Sequence, residues 1–78
     1  MKRADKIIRY QAHALRRMAQ RGVTSTHVAS ALRNPDAERP AKRKDARRFE
    51  KVISKRRRVV VIASESASDF WVISAWWN

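Results

Sequence analysis

The spacing of the apolar residues changes once along this chain, near Pro40. Before that point apolar residues recur three and four positions apart, as they do on one face of an α-helix. After it, short runs rich in β-branched and aromatic residues follow one another, as they do in strands. We therefore expect residues 1–78 to form one α+β domain, with two N-terminal helices packed on an antiparallel sheet.

Two short helices are predicted before Pro40. The first covers residues 11–21, and Gly22 is placed to end it. The second follows Thr24, a good N-cap, and ends at Asn34 because Pro35 disfavours helix there. The apolar stripes are Ala14, Leu15, Met18 and Ala19 in the first helix and Val28, Ala31 and Leu32 in the second.

Three strands are predicted after Pro40, joined by turns at residues 55–56 and 65–68. They cover residues 46–54, 57–64 and 69–76. Residues 37–41 are a weaker candidate for an edge strand. The expected sheet is therefore a three- or four-stranded antiparallel meander.

The last two strands lack the alternation of a sheet with one wet face. Val59 and Val61 oppose Val60 and Ile62, so both faces of that strand are apolar. The last strand is expected to place Phe70, Val72, Ser74 and Trp76 opposite Trp71, Ile73 and Ala75, with Trp71 in the core. Two short helices cover one face only, so the other is expected to meet a partner protein, a second copy or stacked bases.

Positive charge is concentrated in one segment. Eleven of the 19 Lys and Arg residues lie between Arg39 and Arg58, where the acids are Asp45 and Glu50, which gives 11 − 2 = +9 of a net +12. A field of this strength attracts phosphate polymers. Nucleic acid is therefore the first candidate for a binding partner.

The composition also argues against several classes of protein. With no cysteine there is no disulfide and no thiolate metal site. The basic start lacks the apolar core of a signal peptide, and no run approaches a membrane span, so a cytoplasmic protein is expected. The seven acids are scattered, which disfavours a two-metal nuclease, and no cofactor is expected.

RNA can be cleaved without a metal, because its own 2′-hydroxyl attacks the adjacent phosphate when a proton acceptor, a proton donor and cations assist. His13 is the best acid or base, since its ordinary pKa lies near neutrality. Arg17, one helical turn later, shares its face, and Lys51 stands between Phe49 and Ile53 on one strand face. Capping or packing of the helix start remains an alternative for His13, and exposure at the sheet edge remains one for Lys51.

Several short motifs, taken in order, resemble a small bacterial family of domains of unknown function. They are HALRRMAQRGVT, VASALRNPD, RRFEK, VVVIA and VISAWW, and they span roughly residues 10–77. The family pattern is similar to HAxxRMxxRG, VxxALxNP, R(Y/F)EK and a VITAY-like last strand. Ser74, Trp76 and Phe49 depart from it, since Thr, Tyr and Tyr are usual there.

Domains of that family resemble the RelE/BrnT-like toxin ribonucleases. The resemblance implies helices packed on a curved antiparallel sheet, cleavage of RNA, and a cognate antitoxin protein as partner. It also suggests that Lys51, within RRFEK, reaches the scissile phosphate. A mechanism that needs a tyrosine hydroxyl at position 49 or 76 is not available to this chain.

The remaining candidates are cationic, polar or aromatic side chains that could bind RNA. They are Arg16, Arg21, Arg47, Arg48, Arg57, Arg58, Ser74 and Trp76. Arg21 serves equally as a phosphate ligand or as a cap of the first helix. Glu50 is expected to pair with a neighbouring Arg, and His27 to be a solvated surface residue.

The sequence thus predicts a toxin-like, metal-independent endoribonuclease that acts on RNA, either on the ribosome or alone. A non-catalytic RNA- or ribosome-binding module of the same fold is the first alternative. The second is a protein-interaction domain whose uncovered sheet face forms a homo-oligomer or binds a partner.

Overall fold

The computed structural model describes residues 2–78 and confirms an α+β fold. Its helices are α1 (Ala12–Arg21) and α2 (Ser25–Arg33). Its strands are β1 (Ile7–Tyr10), β2 (Ala37–Pro40), β3 (Arg47–Ser54), β4 (Arg57–Glu65) and β5 (Asp69–Trp77). A short 3-10 turn, Arg3–Asp5, precedes β1.

The five strands form one mixed sheet in the order β1-β5-β4-β3-β2. Strand β1 pairs with β5 in parallel, and the other neighbours are antiparallel. The prediction of a three- or four-stranded antiparallel sheet is therefore incomplete, because it omits β1. That strand has only four residues, and its partner lies at the other end of the chain, so no hairpin turn marks it in the sequence.

Both predicted helix boundaries inside the helical hairpin are confirmed. Gly22 follows α1 with φ +71°, a left-handed conformation that favours glycine. The Thr24 hydroxyl accepts the His27 backbone N–H at 3.2 Å, and His27 Nδ1 accepts the Thr24 N–H at 3.1 Å, which closes a capping box. These bonds satisfy backbone donors at the start of α2.

The core lies between the helices and one face of the sheet, called here the covered face. Helix α1 packs on β5, while α2 packs across β3 and β4. The rings of Phe49 and Phe70 meet edge to face, with centroids 5.7 Å apart. The stripe of α2 is buried as predicted, but in α1 only Ala14 and Met18 are buried, because this helix touches little besides β5. The predictions for Leu15 and Ala19 are wrong, since both are exposed.

The opposite face of the sheet carries no helix and is called here the open face. A β-bulge in β5 determines which residues it presents, because Ser74 pairs with Ile62 but Val72 pairs with Ala63. The extra residue, Ile73, reverses the alternation. Ser74 therefore lies on the face opposite Val72, and the predicted grouping of Ser74 with Phe70 and Val72 is wrong.

The three tryptophans differ in their surroundings. Trp71, predicted to be in the core, is 44 % exposed, because its register with Ser64 places it on the open face. Trp77 packs against the core on the covered face, and Trp76 is half-buried on the open face. Open-face Val60 is fully buried between its cross-strand neighbours Glu50 and Trp76.

Among residues 2–78, no helix is both long enough and apolar enough to span a membrane.

Candidate nucleic-acid interface

A cavity of about 590 Å³ opens on the open face, at the side of the sheet where β2 turns into β3. Ile62, Ile73, Ser74 and Trp76 contribute the sheet side of its lining, while Arg48 and the segment 39–43 complete it. We call this cavity, with these residues, the sheet-face pocket. Four of its lining residues are basic and none is acidic.

The segment 39–43 reaches the pocket because strand β2 stops at Pro40. Beyond it, the Ala41 N–H donates to the Ala46 carbonyl at 3.1 Å, and the Ala46 N–H donates to the Arg43 carbonyl at 3.3 Å. These bonds close a short loop between β2 and β3. Pro40 lacks an N–H group and ends the pairing of the edge strand, so the chain is able to leave the sheet there.

A buried carboxylate joins three guanidinium groups beside this pocket. Glu50 accepts hydrogen bonds from Arg48 Nε and from Arg58 Nη1, both at 2.9 Å, and Arg39 Nη2 lies 3.3 Å from it. Its side chain is only 4 % exposed. We call Glu50 and these three arginines the Glu50 cluster.

The arginines keep Glu50 ionised at neutral pH. The hydrogen bond from Arg58 lowers the pKa of the Glu50 carboxyl below its ordinary value; burial opposes this effect, and Arg48 reinforces it. One negative charge against three positive ones leaves 3 − 1 = +2 in the cluster. Each guanidinium has five N–H donors, so donors remain for a second anion.

Two residues belong to both the cluster and the pocket. Arg39 and Arg48 bind Glu50 and also line the cavity. The Arg48 guanidinium lies 5.6 Å from the centroid of the Trp76 ring, within cation–π range. The cation excess and the aromatic wall are therefore contiguous.

The structure brings together three residues predicted to bind RNA: Arg48, Ser74 and Trp76 all line the pocket. Arg58 lies next to them through Glu50, whose predicted pairing with a neighbouring arginine is confirmed. Sequence reasoning did not select Arg39, Lys42 or Arg43. A signal for the first exists in the pairing: Arg39 lies directly opposite Arg48, and like charges in that position are unfavourable unless a counter-ion joins them.

Four other predicted RNA-binding residues lie away from the pocket. Arg47 binds Glu38 at 2.8 Å, and the Arg57 guanidinium lies 3.8 Å from the centroid of the Trp77 ring. Arg21 Nη1 donates to the Ala75 carbonyl at 3.0 Å, so it anchors the end of α1 to β5. Arg16 is exposed on α1.

The predicted catalytic residues His13, Arg17 and Lys51 are not assembled. His13 and Arg17 are exposed on α1, which packs on β5. Lys51 is on β3, two strands or about 10 Å away across the sheet, and its ammonium group lies 3.6 Å from an Asp36 carboxylate oxygen. Within residues 2–78, no hydrogen bond or ion pair joins the side chains of these three residues to one another.

The start of α1 is also distant from the basic turn of the β3–β4 hairpin. The Gln11 N–H donates to the carbonyl of Val72, which pairs with Ala63. From Ala63 to Arg57 the strand β4 extends for about 20 Å. His13 follows Gln11 by two residues, so this turn does not supply its cations.

His27, predicted to be a solvated surface residue, is instead half-buried. Besides closing the capping box, its ring meets the edge of Trp77, with centroids 4.8 Å apart. These contacts give it a structural role. Among the described residues, no group of three His, Cys, Asp or Glu side chains could hold a metal ion.

Comparisons with known proteins add one assignment. The chain matches none of the curated proteins and none of the solved structures with which it was compared. One family model matches residues 10–77, nearly the whole chain, in agreement with the resemblance of its motifs. The chain therefore belongs to the family described as Domain of unknown function (DUF4258).

Proposed function

We propose that this domain binds RNA through the open face of its sheet. The observation that carries the proposal is the contiguity of the sheet-face pocket, lined by four basic residues and Trp76, with a cluster of net charge +2. Guanidinium groups bind phosphate oxygens through paired N–H donors, and aromatic rings stack on bases.

The overall charge supports a polyanion as the ligand. The net charge of +12 supplies long-range attraction, and exposed Lys42, Arg43 and Lys44 extend the positive surface beyond the pocket. A small anion would need only one or two of these cations. A phosphate polymer engages them together and releases their counter-ions, which gives strongly salt-dependent binding.

The test compares two double variants that remove the same charge from opposite faces. Arg48→Gln/Arg58→Gln removes two cations from the Glu50 cluster, and Arg16→Gln/Arg17→Gln removes two exposed cations from α1. RNA affinity is measured by fluorescence anisotropy over a series of salt concentrations. The first variant should weaken binding on the order of 10-fold or more and flatten the salt dependence by about 0.7 per lost phosphate contact.

The α1 variant should change affinity no more than about threefold, through the general loss of charge. Equal weakening by both variants would place binding in the diffuse field and not on the open face. A larger loss from the α1 variant would move the interface to that helix and overturn the proposal. Circular dichroism establishes that both variants are folded.

Metal-independent endoribonuclease activity of the toxin type is a second candidate function. It is favoured by the solvent-exposed imidazole of His13, one helical turn from Arg17, which is open to substrate. Because Lys51 is paired with Asp36 two strands away, a cleavage centre at His13 would have to draw its phosphate ligands from α1 itself. An acidic antitoxin that covers the cationic surface would be the matching partner.

This second function is tested by incubating RNA with the protein in EDTA and analysing the product ends. Products with 2′,3′-cyclic phosphates that disappear in His13→Ala would support it. RNA that stays intact while it is bound would leave the binding module as the function. The variant is a fair probe because the His13 side chain is exposed.

A further inference from the structure

The pocket and the cluster offer two different kinds of contact side by side. The pocket side formed by Ile62, Ile73 and Trp76 is apolar, with the Ser74 hydroxyl as a polar group among them. The cluster side is cationic, since the carboxylate of Glu50 offsets only one of three guanidiniums. A nucleotide has the same division, with a flat apolar base at one end and a phosphate at the other.

Burial explains why this site keeps its shape without a ligand. Glu50 is almost fully buried and binds all three arginines, so their guanidinium groups are held before any phosphate arrives. Arg48 is held further by its position against the Trp76 ring. Preorganised donors lose less conformational entropy on binding than solvated side chains do.

The size of the pocket selects among forms of RNA. A volume of about 590 Å³ accommodates a single nucleotide, but not a base pair within its stack. A base inside a duplex has its faces covered by its neighbours and cannot lie against Trp76. A base that enters the pocket must therefore be unpaired and unstacked.

We propose that the sheet-face pocket and the Glu50 cluster form a site for one unpaired nucleotide of an RNA strand. The base packs against Trp76 over Ile62 and Ile73, and its phosphate binds donors of Arg39, Arg48 and Arg58 that Glu50 does not use. Glu50 is a positioning residue for these arginines. This inference rests on the proposed RNA binding and adds that the domain selects single strands.

Electrostatics alone predicts the opposite preference, which makes the inference testable. Duplex RNA has a higher charge density than a single strand, so a purely cationic surface binds the duplex at least as tightly. The probes are a labelled 12-nucleotide RNA without self-complementarity and the same RNA annealed to its complement. Anisotropy should give single-strand affinity on the order of 10-fold higher than duplex affinity.

Trp76→Ala is the variant that removes the base contact, and Trp71→Ala is its matched control. Trp71 lies on the same face of the same strand, against Arg9, outside the pocket. Trp76→Ala should lower single-strand affinity about 10- to 100-fold and leave duplex affinity within about twofold. Trp71→Ala should leave both affinities within about twofold. Trp76→Phe keeps an aromatic face and should retain most of the preference, which guards against a folding defect.

Two failures are distinguishable. If the wild-type protein binds neither RNA, the proposed function itself is wrong. If it binds RNA through Arg48 and Arg58 but prefers the duplex, or if Trp76→Ala weakens both forms equally, only the single-nucleotide site is overturned.

Discussion

The two faces of this sheet use charge in different ways. Beside the Phe49 ring of the covered face, Arg3, Lys6 and Arg47 meet Glu38 and Glu65, so three cations face two carboxylates. On the open face three cations meet the single carboxylate of Glu50. The first cluster has a net charge of 3 − 2 = +1, and the second has 3 − 1 = +2.

The difference separates an internal fastening from a ligand site. The first cluster ties the N-terminal segment to two strands, since Arg3 bridges Glu38 of β2 and Glu65 of β4. Its arginine donors point at protein carboxylates. The Glu50 cluster joins only neighbouring strands of the sheet, borders a pocket and retains unused donors. An excess of fixed cations beside a cavity is the arrangement that binds an external anion.

The largest expected contrast between the faces is in stability. Phe70→Ala removes a fully buried ring from the covered face and should lower the free energy of unfolding by about 3–5 kcal/mol. Trp71→Ala, the next residue, removes a ring that is 44 % exposed and should cost less than about 1 kcal/mol. Urea unfolding followed by circular dichroism measures both. Similar losses would mean that the open face is buried in solution.

A smaller contrast is expected between the two buried carboxylates. Glu65→Gln leaves the buried Lys6 ammonium without its counter-ion, which should lower the free energy of unfolding by about 1–3 kcal/mol. RNA affinity should change little. Glu50→Gln also destabilises, but it removes a negative charge next to the phosphate site while an amide oxygen still accepts from Arg48 or Arg58.

For Glu50→Gln we therefore expect RNA affinity to rise a few-fold in the folded protein, on the order of one removed repulsive contact. Binding and urea unfolding of the two variants are measured side by side. A rise with Glu65→Gln as large as that with Glu50→Gln would show that net charge, and not the site, governs affinity.

The smallest contrast is in acid sensitivity. The pKa values of Glu38 and Glu65 are lowered first by Arg3, and that of Glu50 first by Arg58. The unfolded chain therefore binds more protons than the folded one near pH 4.5, so this stabilisation is complete above about pH 4.5 and is lost as the pH falls through the lowered folded values. Thermal unfolding at pH 7, 5, 4 and 3 should show a falling midpoint.

Variant Glu50→Gln should lose less stability than the wild-type protein between pH 5 and pH 3, because one of the three carboxylates no longer titrates. A midpoint that falls equally in both proteins would show that Glu50 does not contribute to the acid sensitivity.

Local patterns were sufficient to predict much of the fold. The helical spacing around Met18 and Val28 and the caps at Gly22 and Thr24 place both helices, since these signals lie within a few residues of one another. Strand β1 was missed because its pairing with β5 is not local. The bulge at Ile73 was missed for the same reason, and it changes which side chains share a face with Ser74.

The site was predictable only in part. Arg48, Ser74 and Trp76 could be selected by chemical type and by their strands. Their convergence with residues 39–43 depends on where the chain leaves β2, and the role of Glu50 depends on cross-strand register. His13 and Lys51 share no register, and sequence reasoning had no distance with which to separate them.

The most direct test of RNA binding at the open face follows the three indole N–H signals by two-dimensional NMR during titration with single-stranded RNA. Trp76 lines the pocket, Trp71 lies elsewhere on the open face, and Trp77 lies on the covered face. We predict a large shift of the Trp76 signal, a small shift of Trp71, and a Trp77 signal that stays in place. Shifts confined to Trp77 and to the backbone of α1, with Trp76 unchanged, would contradict this account.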